Sequence, residues 1–265
     1  MDLGLRGKKA LVCGSSAGLG FSTAMALAAE GADVIINSRD KKRLDAAADK
    51  IEKATGSRPE CLVADLATDK GISHVTQEVR KDMPGGFIDI LVANTGGPPS
   101  GRFMHFSHQQ WKDAAQLLLY SAVRLTKAVI EGMASRGWGR LIYVTSVSVP
   151  QPLDDLVLSN SYRSAVTAFC KTVSNTHASS GITANCVCPG YTATERLQSL
   201  AQSRAEQSGT EPEQVMASMA ENVPAGRLGK PEELAATVAF LASEQAGYIS
   251  GSSIRVDGGI AKFLL

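Results

Sequence analysis

The segment Gly14-Ser15-Ser16-Ala17-Gly18-Leu19-Gly20 has the residue types and spacing to cradle phosphate. It follows the apolar run Lys9-Ala10-Leu11-Val12-Cys13 and opens a helix-like stretch. Gly14 permits a tight turn, Gly18 lets the backbone approach a diphosphate, and Gly20 lets a helix pack closely on the preceding strand. A helix that starts here also points free N–H groups and the positive end of its dipole at the ligand. A bare glycine pattern is weak. Its position between the first strand and first helix of a βαβ series makes it a dinucleotide site, with Ser15, Ser16 and Leu19 on the same loop. The second apolar run ends at Ser38-Arg39. NAD-binding folds carry there an acid that holds the ribose 2′-hydroxyl. A hydroxyl followed by a guanidinium instead suits a 2′-phosphate, so the pair points to NADP, with NAD as the alternative.

The elements that must position these groups alternate regularly. Strands are expected over 9–13, 33–37, 60–63, 88–93, 140–145, 182–187 and 253–256. Helices are expected over 18–30, 41–54, 70–81, 158–179 and from 231, with a long helix from an N-cap at Ser107 to about 135. Near-continuous apolar strands separated by helices imply an α/β fold, a single Rossmann-type doubly wound parallel sheet of about seven strands with helices on both faces. Neither a linker nor an internal repeat divides the chain, so residues 1–265 are read as one domain. The polar, helix-prone stretch 191–222 is too long for an ordinary loop and reads as a lid.

Composition narrows the function. The 27 Lys+Arg balance 26 Asp+Glu, which gives no electrostatic case for nucleic acid or an anionic membrane as partner. No apolar run is long enough to cross a bilayer, and the first residues lack the apolar core of a signal peptide, so a soluble cytoplasmic protein is expected. The five cysteines include no CxxC pair, and the four histidines keep no metal-ligand spacing with them. No metal site is expected; His105 and His108 are three apart but flank a helix start.

With those motifs in place, the spacing G-x-x-x-G-x-G resembles the short-chain dehydrogenase/reductase family, and the resemblance covers nearly the whole chain. Asp65-Leu66 matches the acid that contacts adenine in that family. Asn94-Thr95-Gly96-Gly97 resembles the N-A-G motif that backs the cofactor. Pro189-Gly190 matches the backbone that meets the carboxamide, and Thr192 or Thr194 the nearby threonine. The most specific pieces are Gly226-Arg227-Leu228-Gly229-Lys230-Pro231-Glu232-Glu233 and Val256-Asp257-Gly258-Gly259. The resemblance also implies a homotetramer built through long helices.

The family performs acid–base chemistry with Asn, Ser and a Tyr-x-x-x-Lys pair, in which the Lys cation draws the phenol towards neutrality and holds the ribose. Here Ser146 fits the serine position, but the other three positions differ. Ser159 stands where the Tyr belongs, Arg163 where the Lys belongs and Leu118 where the Asn belongs. This is the pattern of a divergent 3-oxoacyl-carrier-protein-reductase-like subgroup with Leu158-Ser159-Asn160-x-x-Arg163. Ser159 and Arg163 are i and i+4 and share a helix face. Arg163 is permanently charged and suits the ribose hydroxyls. Ser159 is a poor acid alone; Tyr162, three residues on, and Tyr191, at the start of the lid, are the candidate phenols.

Two functions follow. The first is an oxidoreductase that moves a hydride between a nicotinamide, NADPH ahead of NADH, and a carbonyl or alcohol substrate, with Ser146, Ser159, Arg163 and Tyr162 in its catalytic set. The second is a cofactor-binding protein with little or no catalysis, serving as a sensor or assembly partner. A Rossmann methyltransferase fits poorly, because the glycine spacing and the Val256-Asp257-Gly258-Gly259 tail match dehydrogenases.

Overall fold

The chain is seen in a computed structural model that describes residues 2–81 and 88–264. Seven strands form one all-parallel sheet: β1 Lys9–Val12, β2 Asp33–Ser38, β3 Glu60–Val63, β4 Ile90–Ala93, β5 Gly139–Val144, β6 Ile182–Pro189 and β7 Ser253–Val256. Their order is β3-β2-β1-β4-β5-β6-β7. Chain order reverses between β1 and β4, so the crevice beyond the carboxyl ends of those two strands is the switch point where such folds bind ligands.

The helices are α1 Gly18–Ala29, α2 Lys41–Thr55, α3 Asp69–Glu78, α4 His108–Ala115, α5 Ser121–Arg136, α6 Val157–His177, α7 Glu195–Ser208, α8 Pro212–Glu221 and α9 Pro231–Ala242. The sheet is buried on both faces. One core packs Leu11, Leu91, Leu141 and Tyr143 against Leu125, Val129, Val166 and Cys170. The other packs Val12, Ile36, Val92 and Val187 against Leu27, Leu44, Leu234 and Val238. Cover on both faces of the central strands β1 and β4 explains why those sequences run apolar without alternation, while the edge strands β3 and β7 are partly exposed.

Two expectations are refined. The long helix from Ser107 is capped as expected, with Gln110 donating its N–H to the Ser107 hydroxyl and accepting from the Ser107 N–H. It is nonetheless not one regular α-helix, because Gln116–Tyr120 forms a π-helical turn between α4 and α5. The Ser121 hydroxyl donates to the Leu117 carbonyl at 2.5 Å, a side-chain bond that competes with the regular ladder at this point. The stretch 191–222 is structured as α7 and α8, which close over their own small core of Leu156, Leu197, Leu200, Ala201 and Met219.

Candidate active site

The glycine loop does what its spacing implies. Gly14 and Gly18 have φ of +58° and +57°, the left-handed region open to glycine. A Cβ on Gly20 would lie 2.2 Å from the Gly14 carbonyl oxygen, so α1 packs on the turn at a distance only glycine permits. Ala17 gives α1 no side-chain cap and its first turn holds no acid, which leaves the helix N-terminus free for an anion. Asn94 braces the loop from β4, donating to the Cys13 and Gly14 carbonyls at 3.2 and 3.3 Å.

Around this loop lies a cleft of about 300 Å³. Gly14, Gly18 and Leu19 form one wall, with Asn94 and Gly96 from the β4 end beside them. Ser146, Ser159 and Arg163 line the far end, and Pro189, Gly190, Thr192 and Thr194 close it from the β6 side. Residues scattered over 180 positions of sequence therefore meet in one crevice at the switch point. Gly190 is packed so tightly that a Cβ would fall 2.7 Å from the Asp257 Cα, so the Pro-Gly turn and the Asp-Gly-Gly segment meet at a distance only glycine permits. Thr194 N-caps α7 by accepting from the Leu197 N–H and leans over the glycine loop, its Cγ2 3.4 Å from where a Gly18 Cβ would sit.

The catalytic end is built on β5 and α6. Buried Ser159, Val166, Cys170 and Val173 mark the face that α6 turns to the sheet, and Arg163 follows that stripe. Its guanidinium donates to the Val144 carbonyl at 2.8 Å through Nη1 and to the Ser159 hydroxyl at 3.2 Å through Nε. Desolvation pulls its pKa down to about 10, and the like charge of Arg196 pushes the same way. Ser146 accepts from the Ser148 N–H at 3.0 Å and keeps its own proton free to donate into the cleft. Behind Arg163, Leu118 and Ser121 of the π-turn region border a void of about 10 Å³, room for one water at most.

Several expected residues stand elsewhere. Tyr162 does not line the cleft. Its ring meets Trp111 edge-on at 5.9 Å, on the outer face of α6. Ser15 is fully buried with both donors spent, its N–H on the Asn37 carbonyl and its hydroxyl on Val12, so it ties β1 to β2 rather than facing phosphate. Leu66 is a core residue. Ser16 lies on a side groove with Arg43, Lys50 and Glu195. Ser38 and Arg39 are at the β2 end as expected; Arg39 is well exposed and reaches Asp65 at 4.0 Å.

The structure adds groups that the sequence did not single out. Arg43 of α2 grips Glu195 at the start of α7 at 2.6 and 2.8 Å, across 152 residues of sequence. Leu153 and Leu156, in the turn before α6, form an apolar wall. Gly97 makes room for Arg196, whose Nε lies 2.7 Å from a Gly97 Cβ position. Tyr191, the second phenol named from the sequence, lines the cleft and accepts from Arg204 at 3.3 Å, and Arg204 is itself held by both oxygens of Asp155. Among the described residues no cluster of His, Cys, Asp or Glu could hold a metal ion, and no helix is long and apolar enough to cross a membrane.

Comparison with known proteins agrees with this geometry. A family model described as Enoyl-(Acyl carrier protein) reductase matches residues 14–261. The chain is 33% identical over 256 residues to the 3-oxoacyl-[acyl-carrier-protein] reductase FabG of Haemophilus influenzae, covering 97% of this chain and 99% of that one. It is 34% identical over 260 residues to the D-beta-hydroxybutyrate dehydrogenase of Cupriavidus necator, covering 96% and 98%. The crystal structure of L-sorbose reductase from Gluconobacter frateurii, complexed with NADPH and L-sorbose, superposes with a TM-score of 0.92 at 34% identity and covers all of both chains. A glycine loop at the switch point, a Pro-Gly turn after β6 and these full-length matches place the chain in the short-chain dehydrogenase/reductase family, among its 3-oxoacyl-carrier-protein-reductase-like members.

Proposed function

We propose that this protein is an NADPH-dependent oxidoreductase acting on a carbonyl or alcohol substrate, with Ser146 at the family's serine position and Ser159 and Arg163 in place of its Tyr and Lys. The observation that carries this is the single cleft that joins the glycine loop to those three side chains. The residues fit a dinucleotide: the α1 N-terminus is uncapped, Gly14 and Gly18 leave backbone open to it, and Ser38 with Arg39 offers a hydroxyl and a guanidinium to a 2′-phosphate. NADPH in the similar L-sorbose reductase and the absence of an acid at position 38 support NADP over NAD. Asp65, beside Arg39, is the group for the adenine edge.

When bound, the nicotinamide supplies or accepts the hydride. Ser146 and Ser159 hold the substrate oxygen by donating to it. Arg163 orients Ser159 through the Nε bond, presents its remaining N–H groups to the ribose, and stabilises negative charge as it grows on that oxygen. Tyr191 is the phenol on the cleft wall, and we assign it the proton, passed directly or through water, in place of Tyr162. Thr192 and Thr194 position the carboxamide side, while α7 and α8 form the lid. Exposed Phe103 and Tyr120, with Trp111 and Tyr162 between them, form the surface through which a homotetramer would assemble. Five free thiols favour a reducing, cytoplasmic setting.

NADPH and NADH consumption is measured against ketones, ketoses and 3-oxoacyl thioesters for the wild type and for Ser146→Ala, Ser159→Ala and Arg163→Ala. Turnover that falls in all three supports the reading. Tight NADPH binding with no turnover on any carbonyl favours a non-catalytic binding protein.

A further inference from the structure

We propose that the substrate carries a carboxylate on a short aliphatic body, and that Arg196 is the residue that takes it. The inference rests on reading the cleft as a carbonyl-reducing site.

The argument begins with charge. Arg163 and Arg196 both line the cleft, close enough for the Arg196 charge to bear on Arg163, and neither has a carboxylate partner among the described residues. Glu195 also lines the cleft, but Arg43 engages both of its oxygens. Arg196 is exposed and Arg163 half-buried, and two like charges on one cleft without a counter-ion draw an anionic ligand.

The two arginines are not equally available. Arg163 is spent on the Val144 carbonyl and the Ser159 hydroxyl and faces the ribose. Arg196 donates one nitrogen to the Pro98 carbonyl at 2.8 Å. That bond and the floor of Gly97 hold the guanidinium in place, and Arg196 lines the cleft as an exposed residue with further N–H groups to offer. A planar fork held in this way matches a carboxylate in two-point geometry. The cofactor diphosphate does not need it, because the uncapped α1 N-terminus and the glycine loop already answer that charge.

Apolar side chains set the body of the ligand. Leu153 and Leu156 before α6, and Leu197 and Leu200 on the helix that carries Arg196, also line the cleft. Hydroxyls of a neutral polyol would face these leucines without partners while leaving the cations unanswered. A short oxo acid puts its carboxylate on Arg196, its carbonyl by Ser146 and Ser159, and its alkyl part on the leucines.

The test uses 2-oxobutanoate, 3-oxobutanoate and 4-oxopentanoate beside their methyl esters. Binding to the protein–NADP⁺ complex is measured by calorimetry, and kcat/KM with NADPH, for the wild type, Arg196→Gln and Arg196→Lys. For at least one pair the acid is expected to exceed its ester by about thirtyfold or more, the scale of a charge-assisted pair. Arg196→Gln brings that ratio to within about threefold of unity, and Arg196→Lys restores part of it, with the NADPH Kd within about twofold throughout. Esters equal to acids in the wild type overturn the proposal. So does an Arg196→Gln variant that loses NADPH affinity and keeps the acid preference, since Arg196 then serves the cofactor. Acids that bind through Arg196 without being reduced leave the anion site standing and remove the reductase reading; ester turnover without acid preference does the reverse.

Discussion

Replacing Arg163 by Met is expected to make the protein more stable and less able to hold its cofactor. Arg163 sits in the cleft wall with its guanidinium on the Val144 carbonyl and the Ser159 hydroxyl and without an acid beside it. Its pKa is pulled down from the ordinary guanidinium value to about 10, first through desolvation and then through Arg196. At about 1.4 kcal/mol per pH unit, that drop corresponds to ~3 kcal/mol by which the fold disfavours the charged form. Met keeps the aliphatic stem and removes the charge. The Val144 carbonyl loses its donor, but it borders an open cleft where water can replace it, so about 1–2 kcal/mol of net gain is expected. For a chain of this size that raises the melting temperature by about 2–8 °C. The pH dependence has a definite sign. Below about pH 10 the folded guanidinium carries its charge and the cost is fully present; as pH rises above that the folded state releases its proton before the unfolded state and the cost is relieved. The gap between variant and wild type therefore narrows in strong alkali. NADPH affinity falls by about tenfold or more, because charge-assisted bonds to the ribose are lost. Thermal unfolding without cofactor and fluorescence titration with NADPH check both halves. A lower melting temperature in the variant, or an unchanged Kd, would refute the reasoning.

Other outcomes follow from the same geometry. Tyr191→Phe should lower kcat by about 10²–10⁴, the range of a general acid, while Tyr162→Phe stays within about twofold; equal effects would dismiss the assignment of the proton. Ser38→Asp should lower the ratio of kcat/KM for NADPH over NADH by about a hundredfold through repulsion of the 2′-phosphate, and an unchanged ratio would show that position 38 does not face it. Gly20→Ala gains about 1 kcal/mol of helix propensity, but its Cβ meets the Gly14 carbonyl at 2.2 Å, so the clash wins. A lower melting temperature and weaker NADPH binding are expected, and a stabilised variant would contradict this. Glu233 is held at about 2, below its usual 4.5, by hydrogen bonds from Arg227 and the Lys230 N–H. Its contribution is present above pH 4.5 and is lost as pH falls through 2, so wild type and Glu233→Gln should converge in acid unfolding curves; a constant gap would exclude the pair.

The sheet, the glycine loop and the Pro-Gly turn were legible because each is a local pattern: strand and helix periods, glycines where a turn needs them, and a motif joined to the element beside it. Ser159 and Arg163 were legible as a pair because i and i+4 share a helix face. Tyr162 was not, since three residues along α6 turn a side chain part-way off that face, and Trp111 supplies a ring for it to pack on. Ser15 reads as a phosphate residue from the loop alone, yet the β1–β2 junction claims its hydroxyl and N–H. The Arg43–Glu195 grip and the seat of Arg196 on Gly97 depend on partners far apart in sequence, and the π-turn at Gln116–Tyr120 breaks the regular helical period by which the stretch is read.

The central claim is that this cleft passes a hydride with two serines and an arginine. The most direct measurement incubates the protein with NADPH deuterated at nicotinamide C4, each face in turn, and a carbonyl substrate from the panel above. The account predicts deuterium on the product carbinol carbon from one face alone, with transfer abolished in Ser146→Ala/Ser159→Ala while NADPH still binds. NADPH bound by the wild type with no deuterium transferred to any carbonyl would contradict it.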